Sequence, residues 1–355
     1  MYSTSRILNT PAPVSALEFP HAGHLFVGSY DGTLRLYDLS SFKVIRAVRG
    51  LKDEISSIAS TKRPGTNLRD VWVACGNSVH LFKMDTPSMI LNPQDTIAST
   101  NLTQYDADVV NDIALDIKHL AFSTDGGTVG IVDLSTNSIW RMKEGHTSIS
   151  SCVNFVPDRP RELISAGYDE AFLHFDFQEG TILSQHKIQS PSPTVSDGIS
   201  LSPPFIMSTA MSSNGILAAG TADGRLWAGL GGQKGLVSKS KSKAKRSRKW
   251  NGLSDEDGIL CTKVADGPIV ALSFVNSKIL CASTLLGTII QWKINVKSND
   301  QDTILEEVWR KNVTGMDKVN ALVTNDTKII VGGLTKEGKG VIEIWDIPPQ
   351  NTASA

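Results

Sequence analysis

The feature that most constrains this chain is a stretch that recurs. Gly145 to Phe177, GHTSISSCVNFVPDRPRELISAGYDEAFLHFDF, carries the plan of one unit against which the other segments can be laid. Apolar and polar residues alternate in it with a period of two, which predicts short strands over 151–156, 162–167 and 172–177. The Pro157 to Pro160 loop joins the first pair and Tyr168-Asp169-Glu170 turns the second. A fourth strand is expected over 181–187, after Gln178-Glu179-Gly180. One four-stranded antiparallel meander cannot bury both of its faces and is unstable alone, whereas copies stacked face to face cover one another.

Sliding the pattern (apolar strand, small residues, a turn with Asp or Gly, apolar strand ending near Asp) along the chain finds seven copies. Their third strands end at Asp38, Lys83, Asp133, Asp176, Gly229, Lys293 and Asp346. The steps lie near or above the roughly 40–45 residues of a propeller blade. The longest, from Gly229 to Lys293, contains the one obvious insertion.

These cores resemble the WD-repeat propeller family. The resemblance is carried by Gly28-Ser29-Tyr30-Asp31-Gly32 to Tyr37-Asp38, by Ser165-Ala166-Gly167-Tyr168-Asp169 to Phe175-Asp176, by Ile344-Trp345-Asp346, and by Gly145-His146 at a blade boundary. The motif is degenerate: only the seventh copy keeps Trp-Asp, at Trp345-Asp346, and only the fourth keeps Gly-His. The resemblance implies an all-β, seven-bladed ring. It also implies a buried hydrogen-bond network in the fourth copy made by Asp169, His146 and Ser165, with Phe175 where Trp is usual; the alternative for His146 is a solvated loop residue. In the hairpin turns, Asp31-Gly32, Asp125-Gly126 and Asp223-Gly224 supply residues that accept positive φ.

Ring closure requires the termini to meet. The last copy lacks a fourth strand, and Ser5 to Asn9 precedes the first, so the N-terminal strand is expected to complete the last blade and remove its open edge. The expected organisation is one domain over 1–355. Its blades fall near 12–49, 53–101, 108–143, 147–188, 204–237, 266–310 and 317–347 plus 4–10, with a disordered basic insertion at 232–258.

Thirty-five basic and 36 acidic residues leave a net charge of −1, which favours neither a nucleic-acid binder nor an acidic surface. Cys75, Cys152, Cys261 and Cys281 stand singly, without metal or redox spacing, and suit a reducing compartment. With neither a secretory apolar core nor a membrane-length apolar run, an intracellular protein, nuclear and/or cytoplasmic, monomeric and without membrane contact, is expected.

Three segments fall outside the repeat. Lys239, Lys241, Lys243, Lys245, Arg246, Arg248 and Lys249 form a run of five Lys and two Arg, followed at once by Trp250. Such a run suits nuclear import through import receptors, contact with nucleic-acid phosphates, or a merely solvated insertion. Ser190-Pro191, Ser192-Pro193 and Ser202-Pro203 suit either proline-directed phosphorylation or a plain Pro-rich loop. Met89-Ile90-Leu91 reads as the fourth strand of the second copy, the alternative being an exposed apolar patch.

No hydrolase elbow, phosphate loop or nucleophile arrangement occurs. The seven His are dispersed, and His21-x-x-His24 lacks a third ligand, so no catalytic residue, metal or cofactor is expected. Residues 110 to 228 are similar to a narrower group of WD-repeat proteins, through Ser150-Ser151-Cys152-Val153-x-Phe155, Pro157-x-Arg159-Pro160 and Asn214-Gly215-Ile216. That resemblance implies a protein-binding scaffold, and a substrate receptor that meets a cullin-type ubiquitin ligase through its adaptor. Adaptor attachment in such receptors commonly uses a Trp-Asp-x-Arg box. This chain departs from it: Ser40, Asp85, Ser135, Gln178, Asn295 and Pro348 stand where Arg would be.

Overall fold

The computed structural model describes residues 3–20, 23–62, 68–189, 202–233, 249–254, 258–296 and 303–347. The chain begins with β1 (Ser3–Thr10). The first blade follows as β2 (Val14–Glu18), β3 (His24–Ser29), β4 (Leu34–Asp38) and β5 (Lys43–Val48). Blade two holds β6 (Ile55–Lys62), β7 (Arg69–Cys75), β8 (Ser78–Lys83) and, after β9 (Ile90–Leu91), β10 (Ala98–Asn101). Blade three is β11 (Val110–Leu115), β12 (His119–Thr124), β13 (Val129–Asp133) and β14 (Ile139–Arg141). Blade four is β15 (Ser150–Phe155), β16 (Glu162–Gly167), β17 (Ala171–Asp176) and β18 (Thr181–Lys187). Blade five is β19 (Ile206–Met211), β20 (Leu217–Thr221), β21 (Arg225–Gly229) and β22 (Ile259–Lys263). Blade six is β23 (Ile269–Phe274), β24 (Ile279–Thr284), β25 (Thr288–Val296) and β26 (Thr303–Asn312); β27 (Lys318–Thr324), β28 (Lys328–Leu334) and β29 (Gly340–Asp346) begin blade seven.

Blade seven is completed by β1, which pairs antiparallel with β29, Ile7 opposite Glu343 and Leu8 opposite Ile342. The ring is therefore closed by the two ends of the chain, and β29 presents no open edge.

The hydrophobic cores lie between blades. Phe26, Leu36, Ile55 and Val73 join blades one and two, Phe122 and Trp72 join two and three, and Phe175 and Ile131 join three and four. Trp227 and Phe172 join four and five, Ile269 and Leu226 five and six, Trp345 and Ile289 six and seven, and Val27 and Ile344 seven and one. Burying each such side chain contributes about 1.5–3 kcal/mol, so a blade acquires most of its stability from its neighbours.

The inner strands share a second device. In all seven, the pairing register slips near the start of the strand, between Val14/Ala16, Ile55/Ser57, Val110/Asp112, Ser150/Cys152, Ile206/Ser208, Ile269/Ala271 and Val319/Ala321. A bulge re-aims the side chain of the skipped residue. Here it is turned onto the next blade: Ser15 Oγ donates to Ile55 O (2.7 Å), Ser56 Oγ to Val110 O (2.5 Å), Asn111 Nδ2 to Ser150 O (3.1 Å), Ser151 Oγ to Ile206 O (2.7 Å) and Asn320 Nδ2 to Val14 O (2.7 Å). Blade five uses the following residue, Ser208, which donates to Ile269 O at 3.1 Å. Val270 holds the place in blade six and has no donor to offer.

Three expectations change. Ile90–Leu91 is not the outer strand of blade two. It pairs in parallel with β5 on the edge of blade one, and β10 takes the outer position in its own blade. Leu91 is buried in the core between blades one and two, and this packing outweighs continuity along the chain. Blade five does not end before the insertion: its outer strand β22 lies beyond it and pairs with β21. The sequence Ile-Leu-Cys-Thr-Lys of β22 is largely exposed and so carries no core pattern to read. In blade three, Gly127 (φ 80°) takes the left-handed turn position, not Gly126. A Cβ there would lie 2.2 Å from His146 O, so turn and interblade link pack backbone to backbone.

Candidate functional site

Around His146 the structure brings three of the named side chains together. Asp169, in the β16–β17 turn, meets His146 Nδ1 at 2.8 Å and accepts the Thr147 N–H at 3.0 Å, while His146 Nε2 lies 2.7 Å from Ser165 Oγ. Burial pushes the Asp169 carboxyl up, but the hydrogen bonds from His146 and Thr147 outweigh it and hold the group below the usual carboxylate range. Phe175 contributes no polar atom and is wholly buried in the core between blades three and four. The assembly ties the link entering blade four to that blade's own turn. Replacing His146 by Ala is expected to cost about 3 kcal/mol, because a hydrogen bond to a charged group is lost and Ser165 keeps no partner. Chemical denaturation at neutral pH measures it, and a loss no larger than that of an exposed-site control contradicts this account.

The other named positions use different local solutions. Asp31 Oδ1 accepts the Thr33 N–H at 3.1 Å, and nearby Arg35 donates to Ser29 Oγ at 3.1 Å. Asp223 is buried, accepts from Thr221 Oγ1 at 2.5 Å and pairs with Arg225 Nε at 3.0 Å. Asp125 is exposed, and Asp108 instead accepts the turn's Gly126 N–H at 2.8 Å. Trp345 is fully buried, edge-on to Trp309, and Asp346 pairs with Lys328. Asp38 and Asp133 accept N–H and hydroxyl groups of the turn that follows each, which lowers both to about 2.

Of the basic run, Lys239, Lys241, Lys243, Lys245, Arg246 and Arg248 lie outside the described residues, as do His21, Ser190-Pro191, Ser192-Pro193 and Pro348. Lys249 is described: its Nζ donates to Leu183 O at 3.1 Å, on the outer strand of blade four. Ser202 Oγ donates to Pro203 O at 3.3 Å.

Two residues to which the sequence assigns no role matter more. Trp250 is 3% exposed and seated between blades four and five. Its backbone N–H donates to Glu162 Oε2 (2.8 Å), its indole Nε1 to Gly215 O (2.9 Å), and its ring stands edge-on to His174. His174 bonds both Glu162 (3.0 Å) and Ser184 (2.9 Å). Burial pushes Glu162 up, and the bonds from His174 and Trp250 more than reverse it. The stretch 249–254 is thus part of the fold, contrary to an insertion loose throughout 232–258. The legible signal was a large aromatic followed by Gly252 and Leu253 in an otherwise charged stretch.

Asp112 is the second. It joins three inner strands, accepting from Ser57 Oγ (2.8 Å), Val153 N–H (3.0 Å) and Ile113 N–H (3.0 Å). Burial raises it to about 6 despite these bonds. With both oxygens committed to neighbouring blades, the group acts as a tie. Because its folded-state pKa lies above the ordinary value of about 3.9, ionisation opposes folding: the cost is absent at low pH and grows as pH rises through 4 to 6. Relative to the native chain, Asp112→Asn should therefore gain up to about 3 kcal/mol in stability between pH 4 and pH 7. Denaturation curves of both proteins across that range test it, and a difference that stays flat contradicts it.

No group of three or more His, Cys, Asp or Glu with metal-holding geometry occurs among the described residues. No helix of the described residues is long and apolar enough to cross a membrane.

Comparison with known proteins agrees with this architecture. Residues 3–38 match the family "WD domain, G-beta repeat", a span that takes in β1 of blade seven and the first three strands of blade one. The chain is 26% identical over 209 residues to the WD repeat-containing protein 53 homolog of Dictyostelium discoideum, covering 53% of each. The alignment therefore spans about half the length of that curated relative. The crystal structure of the Cps50 (Swd1) β-propeller domain of Myceliophteria thermophila superposes with a TM-score of 0.67 at 14% identity, covering 98% of this chain and 100% of that one. The WD-repeat resemblance thus has a family match, a curated relative and a shared propeller fold behind it.

Proposed function

We propose that this protein is a non-enzymatic platform that holds other proteins on the loops of a rigid ring. The observation that carries this reading is where large apolar side chains reach solvent. The four most exposed of them among the described residues, Ile117 (95% exposed), Tyr105 and Leu286 (74% each) and Met89 (63%), all stand on links or turns, while Ile7, Val44, Ile90 and Val308 reach solvent to a lesser degree from strands. Apolar and aromatic residues held out on a rigid frame suit protein recognition. Propellers of this kind generally serve as scaffolds that bind other proteins.

The narrower form, carried over from the resemblance, is a receptor that brings a bound protein to a cullin-type ubiquitin ligase. Without the arginine of the usual box, attachment would use another surface. Purified full chain and purified cullin adaptor should form a complex that co-migrates on gel filtration, with micromolar or tighter affinity by calorimetry. Absence of any complex ends the receptor reading. The competing reading is nucleic-acid contact through Lys239 to Lys249. It requires affinity for a DNA duplex that falls steeply with salt and disappears when that run is neutralised.

A further inference from the structure

The link between β8 and β9 contains Thr86-Pro87, one of two Thr-Pro pairs in the chain. The other, Thr10-Pro11, is closed to modification: Thr10 is 3% exposed and its Oγ1 donates to Ala12 O at 2.8 Å. Thr86 is half-buried, Asp85, Pro87, Ser88 and Met89 around it are exposed, and its hydroxyl makes no hydrogen bond to a described residue. Its N–H turns back onto Met84 O at 3.1 Å, and Pro87 has no N–H, so 85–88 is not tied into a sheet.

Arg46 stands against this residue from the neighbouring blade. On β5 it lies opposite Leu36, which belongs to the core between blades one and two, so its side chain runs on the blade-two face. Nη2 donates to Thr86 O and Nη1 to Ile45 O, each at 2.7 Å, while Nε is buried without an acceptor. Both acceptors are neutral carbonyls, and no carboxylate pairs with the guanidinium among the described residues. The planar fork thus holds the carbonyl of the same residue that offers the hydroxyl, and it keeps N–H groups and a whole positive charge uncommitted.

We propose that Thr86 is a phosphorylation site for a proline-directed kinase and that Arg46 is the receptor for the phosphate. In the transfer, the bond between the γ-phosphorus of ATP and its bridging oxygen breaks to release ADP. The Thr86 Oγ1–P bond forms, and the hydroxyl proton passes to the catalytic carboxylate of the kinase. The product carries about −1.5 to −2 charge at neutral pH and three acceptor oxygens, which a guanidinium binds in charge-assisted hydrogen bonds. Such a clamp ties the link after β8 to the outer strand of blade one. It thereby fixes Met89, which stands 63% exposed three residues on.

The test uses the full chain with Ser190→Ala, Ser192→Ala and Ser202→Ala, so that the Ser-Pro pairs take no label, and a purified proline-directed kinase with Mg·ATP. Peptide mapping by mass spectrometry is expected to place the phosphoryl group on Thr86 and none on Thr10. The phosphorus NMR signal is then titrated with pH, beside that of the phosphorylated peptide 80–92, which carries the same Lys83 and Asp85 neighbours. The peptide should titrate near pH 6, as free phosphothreonine does, and the folded chain about one unit lower, because Arg46 favours the dianion. Arg46→Gln should bring the folded chain back to the peptide's midpoint. The comparison between native chain and peptide needs no substitution at Arg46, so it decides even where that variant fails to fold. Thr86 left unmodified in the chain overturns the site, and a midpoint equal to that of the peptide, or one that Arg46→Gln leaves in place, overturns the receptor.

Discussion

Deleting residues 1–10 is expected to unfold the ring rather than trim it. β1 contributes the outer strand of blade seven, pairing along β29 from Asp346 to Gly340. Without it, β29 becomes an open edge, and Leu8 no longer packs against the core that joins blade seven to blade one. That core is what turns a stack of sheets into a ring. The loss falls on closure itself and should exceed much of the net stability of about 5–15 kcal/mol typical of folded domains. Circular dichroism and gel filtration should show a truncated chain that aggregates or melts without a cooperative transition, and addition of the 1–12 peptide should restore part of it. A truncated chain that stays monomeric and melts at the native temperature contradicts closure by β1.

Trp250→Ala should cost about 3–5 kcal/mol, the range for emptying a large aromatic site in a packed core. The slot cannot collapse to fill the space, because its walls are backbone: Cβ atoms placed on Gly232 and Gly252 would sit 1.7 and 1.8 Å from the indole. Removal also strips the indole donor from Gly215 O. Trp250→Phe should recover part of the loss, since it keeps an aromatic ring in the slot while giving up the indole's second ring and that one bond, and Lys249→Ala should change little. Urea denaturation orders the three. Equal stability of Trp250→Ala and Lys249→Ala would mean that the stretch 249–254 does not belong to the fold.

The seven-bladed ring was legible because each blade repeats one pattern in which strands alternate with a period of two and turns carry Asp and Gly. His146, Ser165 and Asp169 could be named as a group because a repeat places equivalent positions in register, even where Phe175 replaces the usual Trp. Asp125 shows the limit of such reasoning: the repeat marks the turn, yet Asp108 from the preceding link makes the bond. Trp250 stands far in sequence from Glu162 and His174 and belongs to no repeat position, so nothing local announces that it meets them.

By itself, then, the chain's periodicity determined the strand pattern, the number of blades and the need for its N-terminal strand to seal the last one, since each follows from local alternation and from faces that one sheet cannot cover. Only the tertiary structure decided which outer strand belongs to which sheet, how Ile90–Leu91 crosses to blade one and where Trp250 docks. These outcomes depend on what each side chain meets across a seam, and the seams are formed by residues that the linear order keeps apart.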